Sequence, residues 1–508
     1  MTADLPRLRR AHALAHRAEI ETGPAGASAG LPEKAVQFGT GAFLRAFIDV
    51  YLDDANGRGA FNGRVVAIAS TTSERDRLFR EQDGLFTLVT EGLEDGVPRR
   101  STRLIGAVSR ALSAADDWHA VLACACNPWL ELVFSNTTEV GITLDEGEPA
   151  DLTPPRSFPG KLTRFLYERA RTFAFADSKG VAVIPCELIE SNGDRLRETV
   201  LTLADRWELG AAFSSWVTRA VPFYNTLVDR IVPGSPPRNE IDGLWEQLGY
   251  RDELITVCEP YRLFAIQGDE SARRRLSFAA AAPTIVIAED IAAFRERKVR
   301  LLNGAHTIIA PLALLAGCRT VADAMGHDLV GPFVRRVMLE EIVPSLAMLP
   351  RDAETFAHQV LDRFANPFIK HALLDIALYQ TTKLRVRVVP SIVGYAARTG
   401  RAPAALALGF AAYLLFMRDD AVERFAGRPV PSDVKADAIR ALWRHAGEDD
   451  GALVNVARSA CADRTLWGED LTSIAGGGFA DLVADLLVRA ARNGVAGALE
   501  SHLAAATL

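Results

Sequence analysis

Residues 35–47 read AVQFGTGAFLRAF. A short β-branched and aromatic run meets two glycines one residue apart, and an amphipathic stretch follows, the pattern of strand, turn and helix. Backbone amides left bare by glycine at a helix N-terminus can cradle a phosphate, because no side chain intervenes and the helix dipole favours an anion. Gly39 and Gly41 are therefore candidate cofactor-binding residues. Arg45 reads either as a charge-assisted partner for phosphate or as a first-turn surface arginine. Leu44 stands where a full fingerprint would have its third glycine, and two glycines alone are common in ordinary turns.

The surrounding chain gives that turn its context. RVVAIAS (64–70), LELVFSN (130–136), GVAVIPCEL (180–188) and PTIVIAED (283–290) read, like AVQFG (35–39), as strands buried on both faces, the habit of a parallel sheet covered by helices. Beyond residue 290 long helical patterns take over, with RVRVVPSI (385–392) as an extended connector. The expected architecture is α/β: a Rossmann-like dinucleotide-binding domain over 1–290, with 1–33 as an extension, then a mostly helical substrate domain over 291–508. SNTTEVG (135–141) falls at the carboxyl end of a strand, where such folds bind ligands. That makes Asn136, Thr137 and Glu139 candidate contacts to the cofactor, or a turn that merely closes a strand. Glu74 or Asp76 could hold the ribose hydroxyls of NAD, and Arg75 or Arg77 a 2′-phosphate, so this segment leaves the two dinucleotides open.

Composition excludes other classes. Of 508 residues 49% are hydrophobic and 24% charged, and 57 basic against 64 acidic side chains leave a net charge of −7. No basic patch suggests nucleic acid. Six scattered cysteines resemble reduced, core-filling thiols of a cytoplasmic protein. The first residues lack the apolar segment of a secretory signal, and the apolar runs 301–318 and 402–417 are too short for a membrane span. His12 and His16 lack a third metal ligand nearby, and no zinc site is expected. RDDAVERFAGRPVPSD (418–433) reads as a surface loop.

ERKVRLLNGAHT (296–307) is the second informative stretch, since it puts three polar side chains at the mouth of an apolar helix. With about 3.6 residues per turn, Asn303 and His306 lie about 140° and 80° from Lys298, so all three can face one cavity. Gly304 lets something approach closely. Only 7 of the 57 basic residues are lysines. A lysine in an arginine-rich chain suggests that a proton must leave, which a guanidinium does not allow.

KVRLLNGAH (298–306) carries the KxxxxNxxH pattern, and FGTGAFLRAF (38–47) the FGxGxFxRA pattern, of the long-chain mannitol dehydrogenase family, NAD-dependent oxidoreductases that need no zinc. VFSNTTEVGI, KLTRFLYER, VIPCELIESNGDRLRETVL, TLVDRIV and NPFIKHALLDIAL, in order along the chain, resemble the sugar-acid branch of that family. The resemblance implies reversible hydride transfer between NADH and a hexuronate-derived keto acid, D-tagaturonate, to give D-altronate. Within the class, another sugar-acid or polyol dehydrogenase is the alternative; outside it, a nucleotide-binding sensor without turnover. Lys298 would be the general acid and base, its proton affinity lowered by burial, with Asn303 and His306 holding the carbonyl oxygen. Phe43 joins the cofactor motif, Lys383 matches a lysine that grips substrate hydroxyls, and Asp229 matches an acid near the site. An anionic substrate needs a cationic clamp, for which Arg262 and Arg385 are candidates. Polyol-specific members carry CDN where this chain reads CEL, so Leu188 replaces an oxyanion donor and Asn192 stands as its substitute. The resemblance implies a monomer or homodimer.

Overall fold

The computed structural model describes residues 5–10, 21–22, 30–70, 74–137, 141–418, 433, 435–447 and 449–505. His12, His16, Glu139 and most of 418–433 lie outside these described residues. The chain forms two compact units, Met1–Glu91 with Arg99–Ile291, and Gly92–Pro98 with Ala292–Leu508.

The first unit is built on a five-stranded parallel sheet ordered Val108–Ser113, Arg64–Ala69, Glu33–Phe38, Leu132–Ser135, Ala182–Pro185. In chain order this is 3-2-1-4-5, the Rossmann arrangement, whose switch point lies between the strands Glu33–Phe38 and Leu132–Ser135. Strand alternation divides the apolar residues between two cores. Val36, Phe38, Val66, Ile68, Val133 and Val183 enter one, against Phe165, Val200 and Trp216 from the helices Phe158–Thr172, Asn192–Arg206 and Ala211–Ala220. Ala35, Val65, Ala67, Leu132, Phe134 and Ile184 enter the other, with Tyr51 and Leu52 of the helix Ile48–Gly57. Burial of each large apolar side chain contributes about 1.5–3 kcal/mol, which is why these strands read as continuous apolar runs.

One strand assignment is corrected. The run 283–290 does form a strand, Ile285–Ala288, but it joins a separate sheet, parallel to Leu263–Gln267, which also pairs antiparallel with Thr226–Asp229. The fifth strand of the main sheet is instead Val108–Ser113. Its polar Ser109 and Arg110 break the apolar pattern because it is an edge strand; Arg110 turns outward to bind Glu33 at 2.8 Å.

The second unit is helical. The expected connector 385–392 is instead the junction of the helices Gln380–Arg387 and Val389–Thr399. Pro390 sits in a first turn, where a missing N–H costs nothing. The apolar helix Ala404–Phe416 is almost wholly buried, and the amides of Ala405 and Leu406 donate to the carboxylate of buried Glu341, both at 2.7 Å. The stretch Leu471–Ala504 is long and apolar enough to cross a membrane. Its helix Gly478–Ala504 packs on Ala404–Phe416 and is interrupted at Gly494, which has φ +74°.

Candidate active site

The glycine turn of the first unit follows the strand Glu33–Phe38 and is fixed by its surroundings. Gly39 has φ +138°, and a Cβ there would lie 2.8 Å from Leu44 Cδ1; no other residue fits without strain. Its amide donates to the Ile68 carbonyl at 2.8 Å, tying the turn to the neighbouring strand. Around Gly41 the space is open, with nothing within 4 Å of where a Cβ would stand. It precedes the short helix Ala42–Ala46 without a side-chain cap. An uncapped helix start beside open space, at the switch point of a Rossmann sheet, fits a dinucleotide pyrophosphate.

Arg45 does not reach toward that space. Buried, it donates from Nε to Thr256 Oγ1 (2.9 Å) and from Nη1 to the Thr40 carbonyl (2.6 Å), bracing the turn from behind. Burial, then the charge of Arg75, lowers its proton affinity to about 10. Phe43 stacks on Phe47 with ring centroids 5.0 Å apart. Asn136 donates from Nδ2 to the Cys186 carbonyl (2.8 Å), and Thr137 donates from both its amide and its hydroxyl to Glu187 Oε1 (3.0 Å each). Glu187 of the CEL triplet thus ties two strand ends together; burial raises its proton affinity, and these hydrogen bonds counter that rise. Glu74 pairs with Arg77 and Asp76 with Arg80, each at 2.6 Å.

Three substrate candidates also lie in the first unit. Asn192 is fully buried: Nδ2 donates to the carbonyls of Pro185 and Glu187 and to Thr226 Oγ1, while Oδ1 accepts from the amides of Gly193 and Thr226. Its donors and acceptor are occupied within the fold, so it is no substitute for an oxyanion donor, and Leu188 beside it is exposed. Arg262 is bound to Asp54 at 2.6 Å and lies over the Tyr51 ring at 4.4 Å, an internal ion pair rather than a clamp. Asp229 ends a strand and is buried.

In the second unit, Lys298 through Gly304 form a π-helical turn that leads into the helix Ala305–Leu315. This corrects the helical geometry assumed for the motif: an i→i+5 turn rotates less per residue than an α-helix, so Asn303 lies closer to Lys298 around the axis than about 140°. Lys298 and Asn303 are half-buried and His306 is buried. Gly304 admits a backbone rather than a ligand, since a Cβ there would lie 2.8 Å from the Arg387 carbonyl oxygen. Arg300 anchors the turn through Ser391 Oγ and the Pro390 carbonyl, both at 2.7 Å.

His306 is the centre of this region. Its ring stacks on Phe364 at 4.0 Å and meets His371 edge-on at 5.1 Å. Burial holds its proton affinity well below the ordinary value, and His371, Arg363, Arg387 and Lys383 add to that effect. At neutral pH it is therefore an uncharged imidazole, able to donate one hydrogen bond and accept another. Lys383 donates to the Ile376 carbonyl at 3.0 Å and is lowered by burial and by Arg387. Arg385 points elsewhere, toward the Thr465 carbonyl and Gly468. Sequence reading missed Arg363, Arg387 and His371. His371 lies within NPFIKHALLDIAL, and the lone signal for it was that motif. Among the described residues, no group of three metal-ligating side chains occurs.

A Rossmann unit with an open glycine turn, and a helical unit with Lys298, Asn303 and His306 on one helical stretch, define a dinucleotide-dependent oxidoreductase. Residues 33–279 match the mannitol dehydrogenase Rossmann domain and 290–473 the mannitol dehydrogenase C-terminal domain. The chain belongs to the mannitol dehydrogenase family, NAD-dependent oxidoreductases acting on CH–OH groups. The altronate oxidoreductase of Bacillus subtilis is 41% identical over 87% of this chain and 90% of its own, and that of Cronobacter sakazakii is 40% identical over 88% and 92%. Pseudomonas fluorescens mannitol 2-dehydrogenase, solved with NAD and D-mannitol, shares the fold with a TM-score of 0.67 at 24% identity over 98% and 99% of the two chains. A substrate-free D-sorbitol dehydrogenase gives 0.77 at 21% over 97% and 100%. The activity is accordingly that of a sugar-acid or polyol oxidoreductase.

Proposed function

We propose that this enzyme catalyses the reversible NAD-dependent reduction of D-tagaturonate to D-altronate. The observation that carries the reading is the likeness, at about 40% identity over most of both chains, to the altronate oxidoreductases; the positive charges that bear on His306, those of Arg363, Arg387 and Lys383, suit a substrate with a carboxylate. The names of the altronate oxidoreductase relatives support the same substrate. When bound, NAD would supply the redox chemistry, a hydride given to the ketone carbon or taken back in the reverse direction. Lys298 gives its proton to the ketone oxygen during reduction and recovers it during oxidation. Asn303, on the same π turn, donates to that same oxygen. Neutral His306 adds a second donor there, and the two stabilise the charge that builds as the carbonyl is reduced. Lys383 grips substrate hydroxyls with the N–H groups that Ile376 leaves over. Arg387 and Arg363 replace Arg262 and Arg385 as the groups that draw in the carboxylate.

NADH consumption with D-tagaturonate, D-fructuronate and D-fructose tests the substrate. Tagaturonate is expected to give the highest kcat/KM, and faster turnover of fructose would overturn the reading. Lys298→Ala is expected to lower kcat by about 10²–10⁴ while leaving NADH affinity unchanged. Full activity in that variant would remove the lysine from its role.

A further inference from the structure

Arg300 takes no part in the proton transfer above, yet it lies inside the π turn that carries Lys298 and Asn303. Its side chain is buried, and its fork is spent on neighbours from two other parts of the chain. Nε donates to Ser391 Oγ and Nη2 to the Pro390 carbonyl, both at 2.7 Å, and Nη2 also reaches Ser345 Oγ at 3.4 Å. Ser345 follows a second π turn, Val337–Ile342, and donates to the Ile342 carbonyl at 2.6 Å. These acceptors are neutral. The carboxylate beside the guanidinium, Glu296, stands 3.8 Å from Nη1, and its side chain is 45% exposed. Burying a charge among neutral partners costs stability, and a π turn is a rare form of helix, found frequently at functional sites.

The residues that Arg300 holds begin the helix Val389–Thr399 at its junction with Gln380–Arg387. The latter helix is tied to the stretch from Lys298 to Leu315 at both of its ends. At one, Gly304 packs so closely on the Arg387 carbonyl that a Cβ would lie 2.8 Å from its oxygen. At the other, Gln380 Nε2 donates to the Thr307 carbonyl, and Thr307 Oγ1 in turn donates to the Asn303 carbonyl at 2.7 Å. Lys383 lies between the two attachments. We propose that Arg300 is a positioning residue: its fork sets the π turn against the junction at 387–391, and so fixes where Lys298 and Asn303 stand relative to Lys383. The inference rests on the roles proposed above for those three side chains. A lysine at position 300 would keep the charge, but it lacks the planar fork that meets Ser391 and Pro390 together.

Arg300→Lys, assayed as the full chain with NADH and D-tagaturonate well below its thermal midpoint, tests this. Its kcat is expected to fall about 10²-fold, the scale of a small misplacement at a reacting centre, with KM and NADH affinity near those of the wild type. The pH at which kcat breaks should also move, because a displaced Lys298 amine meets different charges. A smaller folded fraction would leave that pH where it was. If Arg300→Lys does not fold, Ser391→Ala takes its place: it removes one acceptor, leaves Arg300 intact, and should lower kcat by about tenfold with the same signature. Wild-type kcat in the folded variant overturns the proposal, as does a lowered kcat with an unmoved pH profile or a loss confined to KM. Failure of the reaction reading looks different. Full turnover in Lys298→Ala removes the proton donor and this inference with it, whereas a slow Lys298→Ala beside a fully active Arg300→Lys sinks the inference alone. If another sugar acid or a polyol is turned over faster, the substrate reading fails, and the same comparison run on that substrate still decides the role of Arg300.

Discussion

The glycine turn of the first unit and the π turn of the second each hold a glycine that the fold cannot easily replace, but they are built in opposite ways. Gly39, Thr40, Gly41 and Arg45 are neighbours in sequence, and the turn is shaped mainly by contacts among themselves and with the adjacent strand, Thr256 behind Arg45 being its distant support. The π turn is shaped from outside. Arg300 is held by residues at 390 and 391, Gly304 is pressed by the Arg387 carbonyl, and His306 is enclosed by side chains from the helices Pro350–Phe364 and Gln380–Arg387 and from the segment at 371. A site made of local sequence tolerates distant change; a site made by convergence records every shift in its supports.

The largest effect expected from this difference comes from Asn303→Ala. If the π register brings Asn303 near Lys298, removing its amide should lower kcat by about 10²–10³ with a smaller change in KM. A loss below tenfold would show that the two side chains do not share a substrate atom. Next come two identical substitutions with opposite readouts. Gly304→Ala drives a Cβ to 2.8 Å from a backbone oxygen and should cost about 1–3 kcal/mol, seen as a lower thermal midpoint together with lost turnover. Gly41→Ala meets nothing within 4 Å and should leave stability within about 0.5 kcal/mol, while NADH affinity falls by about tenfold or more. Were Gly41→Ala to bind NADH normally, the pyrophosphate would have to lie elsewhere.

The same contrast explains what was legible in the sequence. AVQFGTGAFLRAF can be read because strand, turn and helix follow one another, and the alternation of Val36 and Phe38 against Ala35 is what a doubly covered strand requires. Val108–Ser113 could not be read, since an edge strand need not be apolar on both faces. Lys298, Asn303 and His306 are visible as a spacing, but their register is not: the ordinary helical period does not describe a π turn, and the packing partners that accompany that turn lie far along the chain. Arg262 looked available only because Asp54, its partner, is about two hundred positions away in sequence. His371, Arg363 and Arg387 acquire meaning solely through their distance from His306, which no local pattern encodes.

Glu341 extends the comparison to the scaffold of the second unit. It accepts from two amides at the start of the helix Ala404–Phe416, so Glu341→Gln leaves one of them without an acceptor and should cost about 1–2 kcal/mol. Burial raises the Glu341 carboxyl from the ordinary 4.5 to about 7. The folded state therefore holds its proton more tightly than the unfolded chain, and the stability this group contributes is lost as pH rises from 4.5 through 7. Denaturant titrations across that window should show the wild type losing stability relative to Glu341→Gln as pH rises.

The smallest effect runs the other way. Burial, with the charge of Arg336 adding to it, lowers His502 from the ordinary 6.5 to about 4, so its contribution is present above 6.5 and lost as pH falls toward 4. His306, lowered in the same direction, adds to that acid loss. The histidine and carboxylate windows overlap and oppose one another, so the wild-type profile between pH 4.5 and 6.5 by itself assigns nothing. The difference between wild type and His502→Asn isolates one term: the variant should lose less stability than the wild type on going from pH 6.5 to 4.5, by less than about 1 kcal/mol after allowance for solvent screening. Parallel profiles would mean that His502 binds its proton equally in folded and unfolded chains, and that burial in this helix does not exclude water from the ring.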